Sequence, residues 1–162
     1  LFLFRFIGNV FANDVATNVL KLKSLNACKD CDLRSATLTN AILSGANLTD
    51  ANLTNANLFG VNFIGADLTN ANLTNANLTD ANLTDAILTN VNLFGVNFTG
   101  VDLTSANLFG VNFTGADLTS ANLTGADLTD ANLTNVKLTN TITTEAIFCN
   151  TNTPGGVENK GC

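Results

Sequence analysis

An all-β solenoid, a chain wound into coils of very short strands joined by turns, is the fold this sequence predicts. Three observations predict it. From Cys31 to Asn140, 110 residues divide without a gap into 22 units of five. The middle residue of every unit, from Leu33 to Leu138, is Leu except at Phe63, Phe98 and Phe113. Two residues before each centre stands Ala or Val, with Cys31 as the one exception. Such a period takes precedence over any propensity argument.

The backbone follows from the spacing. On an α-helix a step of five residues advances about 500°, so the leucines would spiral over every side and none could be buried. An extended segment places residues two apart on one face, which suits the Ala–Leu pair. The next pair, three residues on, would flip outward unless the chain turned a corner. The last position of the unit supplies that corner, with eight Gly, seven Asn, four Asp and three Ser among the 22 units. These residues accept positive φ or hydrogen-bond their own backbone in turns. Every turn therefore returns an Ala–Leu pair to the interior. Each Leu or Phe so buried contributes roughly 1.5–3 kcal/mol.

Units such as Ala51-Asn52-Leu53-Thr54-Asn55 and Ala116-Asp117-Leu118-Thr119-Ser120 resemble the A(N/D)LXX motif of the pentapeptide-repeat family. The resemblance covers about two-thirds of the chain. It implies a right-handed, four-sided parallel β-helix of about five to six coils, roughly 26 Å long at ~4.8 Å per coil. Residues 31–140 are assigned to that β-helix.

Residues 1–30 are read as an apolar lead followed by a helical cap. The lead, Leu1 to Ala12, is either the tail of an export signal ending in Val10-Phe11-Ala12 or an apolar piece that packs on the domain or on a partner. Asn13-Asp14 can cap a short helix with Val15, Val19, Leu22 and Leu25 on one stripe. Together with Cys28-x-x-Cys31, this segment is similar to the N-terminal cap of cyanobacterial and thylakoid-lumen family members. Residues 141–162 are read as a C-terminal cap or tail. Thr141 and Thr143 fall at inward positions, Ala146 and Phe148 restore the pattern, and Pro154-Gly155-Gly156 ends it.

Four cysteines suggest an oxidising compartment. Cys28-Lys29-Asp30-Cys31 also has the spacing of a redox or zinc CxxC, although zinc takes four ligands and the chain has no His. On a rod of the length the family implies, Cys28 and Cys31 lie far from Cys149 and Cys162. That separation exceeds the ~7 Å Cα limit of a disulfide, leaving Cys28–Cys31 and Cys149–Cys162 as the pairing. Cys31 alternatively serves as a small buried residue in the Ala seat.

Composition narrows function. The absence of His removes the commonest general base and metal ligand. The net charge of −6 disfavours nonspecific binding to nucleic acid and to anionic membranes. No apolar run reaches the ~18 residues of a membrane span. Asp127 and Asp130 lie three apart on an outward wall without a cleft, so they read as turn residues and not as a catalytic pair. Outward Asn and Thr are expected to hydrogen-bond between coils. A Thr array for ice binding is disfavoured because 16 of 22 units carry Thr on all four sides. No catalytic residue, cofactor, metal or small-molecule substrate is expected.

What remains is a non-enzymatic structural or protein-interaction module. By resemblance it is a scaffold or peripheral subunit of a membrane-associated, photosynthetic complex in the thylakoid lumen or periplasm, with the cytoplasm as the alternative. Candidate partner contacts are Phe2, Phe4 and Phe6 in the lead, with Phe94 and Phe109 outward in the repeats. Phe59, Phe94 and Phe109 fall on three different faces, which also fits corner packing. The alternative function is a DNA mimic acting on a type II topoisomerase. It needs a dense acidic face, whereas Asp50, Asp67, Asp127 and Asp130 are spread along the rod. The sequence specifies no oligomeric state.

Overall fold

The computed structural model describes residues 14–162. The lead with Phe2, Phe4 and Phe6 lies outside the described residues. The chain runs through one helix, α1 (Val15–Leu25), the repeats, and a hairpin of β1 (Phe148–Thr153) and β2 (Gly156–Lys160).

Each repeat unit is a single-residue β-bridge followed by a turn. The bridges join residues 20 apart in parallel, from Ala27↔Asn47 to Asn132↔Asn152. With a corner every five residues, 20 residues make one coil of four walls. Here the wall of 31–35 is wall one, and 36–40, 41–45 and 46–50 begin walls two, three and four. Every fifth residue from Asp30 to Asn150 has positive φ, between 51° and 73°. The turn before Ala36 is closed by its N–H donating to Leu33 O at 3.0 Å. Its third residue, Ser35, has φ 56°, as a type II turn requires.

Backbone hydrogen bonds tie coil to coil three times per unit. Leu33 N–H donates to Asn52 O (2.8 Å), Asn52 N–H to Cys31 O (2.9 Å), and Ser35 N–H to Thr54 O (2.9 Å). The interior holds the Ala or Val and Leu or Phe of each unit, most of them essentially inaccessible to solvent. Phe98 and Phe113 meet inside it.

At the N-terminal end, Asp14 accepts from Ala16 N–H at 3.2 Å and starts α1. Leu22 is fully buried and Val15 and Val19 partly so. Asn18 reaches across to donate to Asp32 O at 3.0 Å. That oxygen belongs to a first-coil strand with no coil above it. Leu25 does not share the stripe: it is 66% exposed, because Asn26 turns left-handed at the helix end (φ 51°).

The C-terminal end departs further from expectation. Bridging continues beyond residue 140, as Ile142 and Ile147 pair with Asn122 and Asp127. β1 then receives β2 antiparallel, so the Pro154-Gly155-Gly156 segment is a hairpin turn. Leu138, the last expected inward centre, is 37% exposed, since no further coil covers it.

Candidate functional site

The outward surface is built by two positions of the unit, the bridge residue and the first turn residue. Asn52 illustrates their arrangement: its Oδ1 accepts from Thr54 N–H (3.1 Å) and from the Thr54 hydroxyl (2.6 Å). The same pair recurs at Asn72–Thr74, Asn112–Thr114 and Asp127–Thr129. Most of this bonding therefore lies within the unit, where the sequence led to an expectation of bonds between coils. An Asn or Asp two residues before the turn N–H reaches it with little loss of freedom. Bonds between coils also occur, from Asn122 Nδ2 to the Thr104 hydroxyl at 2.9 Å, from the Ser44 hydroxyl to Asn62 Oδ1 at 2.9 Å, and between corners from Asn70 Nδ2 to Asp50 Oδ1 at 3.0 Å.

The same bonds act on the carboxylates. The Thr69 hydroxyl holds Asp67 below the ordinary carboxylate value. At Asp117 the Thr119 hydroxyl does so first and Lys137, 3.0 Å away, second. Arg34 lowers exposed Asp32 through a two-pronged contact of 2.8 and 2.6 Å. Hydrogen bonds to the ionised form produce these shifts, and all of them keep the acids charged.

Cys28 and Cys31 are joined, with Cα atoms 5.3 Å apart, beneath α1. Both are buried, Cys28 in a centre seat and Cys31 in an Ala seat. Cys149 and Cys162 are joined with Cα atoms 5.2 Å apart, tying the chain end to β1. Phe94 (49% exposed) stands on wall one and Phe109 (41%) on wall four, without ring contact between them. Asp127 and Asp130 both sit on wall four, where Asp127 accepts from Thr129 within its own turn and Asp130 accepts from Asn150 at the corner of the next coil. Among the described residues no cluster could hold a metal ion, and no helix is long and apolar enough to cross a membrane.

One concavity escaped the sequence reading. A cavity of about 320 Å³ lies at the C-terminal end, with Leu123, Leu133, Leu138 and Phe148 inside and Glu158 and Lys160 at its lining. Its sequence signal is the pair Thr141 and Thr143, small polar residues where the period demands Ala and Leu.

The profile of the family described as pentapeptide repeats matches residues 28–63, 62–100 and 97–135, with eight copies. The chain belongs to the pentapeptide-repeat family. Pentapeptide-repeat proteins fold as right-handed quadrilateral β-helices and are generally structural or interaction modules, not enzymes. The crystal structure of HetL is similar to this one. HetL is a pentapeptide repeat protein involved in heterocyst differentiation regulation from the cyanobacterium Nostoc sp. strain PCC 7120. The TM-score is 0.69 at 29% identity, over 80% of this chain and 69% of that one. Rfr23 from the cyanobacterium Cyanothece 51142 is 30% identical over 82% of this chain and 98% of its own, with a TM-score of 0.44. A pentapeptide repeat protein from the Arabidopsis thaliana thylakoid lumen is 30% identical over 65% and 68%, also at 0.44. No curated protein sequence matches the chain.

Proposed function

We propose that this pentapeptide-repeat protein is a non-enzymatic binding rod in the thylakoid lumen or periplasm. There it serves as a scaffold or peripheral subunit of a membrane-associated photosynthetic complex. In this reading the repeats form about five to six coils, α1 is their N-terminal cap, and the hairpin closes part of the far end. The observation that carries it is the pair of disulfides, one beneath α1 and one fastening the last residue. Disulfides persist in oxidising compartments, and placed at the two ends they guard the parts of a solenoid most prone to fray.

Binding fits the surface better than catalysis does. The walls are self-satisfied Asn–Thr pairs, whereas isolated apolar side chains such as Phe94 and Phe109 stand out from them. A DNA-mimicking role is less well supported, since Asp32, Asp50 and Asp117 each lie within 4 Å of a cation.

Fractionation combined with intact mass under non-reducing conditions tests the proposal. The protein is expected in the lumenal or membrane fraction with a mass short of four hydrogens, two for each disulfide. Recovery from cytosol with four free thiols would overturn it.

A further inference from the structure

The bridge between Cys28 and Cys31 spans a corner that the chain closes elsewhere without one. Cys31 N–H donates to Cys28 O at 3.2 Å, as Ala36 N–H does to Leu33 O and Ala41 N–H to Leu38 O, both at 3.0 Å. The two cysteines stand three residues apart, whereas the C-terminal bridge spans thirteen and fastens the chain end. The backbone of this corner therefore does not depend on its cross-link.

What surrounds the two sulfurs suits thiols as well as a disulfide. Cys28 Sγ lies 3.3 Å from Asn18 O on α1. A disulfide sulfur carries no hydrogen, so that contact becomes a hydrogen bond only when Cys28 is a thiol. Cys31 Sγ lies 3.8 Å from the Lys21 ammonium, which favours a thiolate there. The neighbouring cations are engaged elsewhere, Lys29 with Asp50 at 3.9 Å and Arg34 with Asp32 at 2.6 Å. Burial separates the two sulfurs: Cys28 is fully buried, and Cys31, 3% exposed, meets the exposed side chain of Lys21. Above them α1 buries only Asn18 and Leu22. A helix held so lightly opens locally at small cost, without unwinding the coil beneath.

We propose that Cys28 and Cys31 form a reversible dithiol–disulfide exchange site whose co-reactant is a dithiol reductant, with Cys31 as the exchanging sulfur and Cys28 as the resolving one. A thiolate of the reductant attacks Cys31 Sγ and the Cys28–Cys31 bond breaks. Cys28 leaves, takes up a proton and donates to Asn18 O. The reductant's second thiolate then attacks its own sulfur in the mixed disulfide and releases Cys31 as a thiolate beside Lys21. Two electrons have passed to the protein, the reductant leaves as its disulfide, and its two protons end on Cys28 and in water. Opening the bridge loosens the seat of α1 and leaves the coils wound.

Equilibration of the full chain in native buffer with graded mixtures of reduced and oxidised dithiothreitol, followed by alkylation and peptide mapping, tests this. Cys28–Cys31 is expected to open and re-form reversibly while the circular dichroism of the folded rod persists. Under brief alkylation Cys31 should be modified before Cys28. Lys21→Gln should raise the ratio of reduced to oxidised dithiothreitol at half reduction about three- to tenfold. Lys21→Arg should restore that ratio, and Lys23→Gln should leave it unchanged. A bridge that opens only in denaturant, modification of Cys28 first, or a midpoint indifferent to Lys21→Gln would overturn the proposal. Each of these leaves the scaffold reading standing, which fails instead on recovery from cytosol with four free thiols.

Discussion

Phe98 and Phe113 meet edge to face inside the rod, their ring centroids 5.6 Å apart and their planes inclined at 63°. They stand on adjoining walls of successive coils, fifteen residues apart in sequence. Both are fully buried, and valines fill the small seat beside each, Val96 and Val111. An aromatic pair in this geometry contributes about 0.5–1.5 kcal/mol beyond its buried area. A double-mutant cycle of Phe98→Leu and Phe113→Leu, followed by urea denaturation, should recover a coupling of about that size. Strictly additive losses would show that the rings merely fill space.

Leu73 lies mid-rod with no solvent exposure. Leu→Ala in such a site costs about 2–5 kcal/mol, and a carboxylate adds the cost of burying charge. Leu73→Asp is expected to unfold the neighbouring coils. Circular dichroism melting checks it, and a wild-type melting temperature would contradict it.

Corner chemistry makes a finer forecast. Gly65 has φ +62°, and a Cβ there would meet nothing within 4 Å. Any cost of substitution is therefore conformational. Gly65→Val should destabilise by about 1–2 kcal/mol, the cost of left-handed backbone. Gly65→Asn should cost clearly less, since Asn90 and Asn135 hold equivalent corners at φ 57° and 58°. Equal losses in urea melts would mean that space, not φ, selects the corner residue.

Acid should weaken the rod. Asp67 and Asp117 titrate below the unfolded carboxylate value, for the hydrogen-bonding reasons given above. A depressed folded value adds stability that is present above the unfolded value, about 3.9, and is lost as the pH falls through the folded one. The melting temperature should therefore decline below about pH 4. Asp67→Asn with Asp117→Asn should flatten that decline, because an amide oxygen still accepts from the turn. Melting curves at stepped pH decide it.

The C-terminal disulfide closes a short loop, Cys149 to Cys162. Cross-links over loops of that length stabilise by about 3 kcal/mol in the chain-entropy account. Cys149→Ser should open β2, every residue of which is exposed, and leave the mid-rod untouched. Hydrogen exchange should show lost protection at Val157–Lys160 and none lost at Leu73.

Much of the architecture could be read in the residues, because one rule generates it. The Ala–Leu spacing and the Gly, Asn, Asp or Ser corner correspond to the buried pairs and to the positive φ of every fifth residue. The details that escaped depend on what lies beside a residue. Whether Thr54 bonds its own unit or the next coil is decided by the reach of Asn52, a matter of ångströms that the period does not encode. Leu138 obeys the rule and is 37% exposed nonetheless, because Gly156–Lys160, which would continue its wall, folds back as β2. Pro154-Gly155-Gly156 marks an end in sequence, yet it turns the chain back onto β1.

The 20-residue pairing from Ala27 to Asn152 also governs how such a rod can change in length. Inserting a single pentapeptide would turn everything beyond it through a quarter revolution, moving Phe109 from wall four to wall one and aiming it in a new direction. Inserting four would keep every outward side chain on its own wall and only lift it by one storey. Length and facing are thus separate degrees of freedom, adjustable in steps of twenty and of five, while the interior registers neither change.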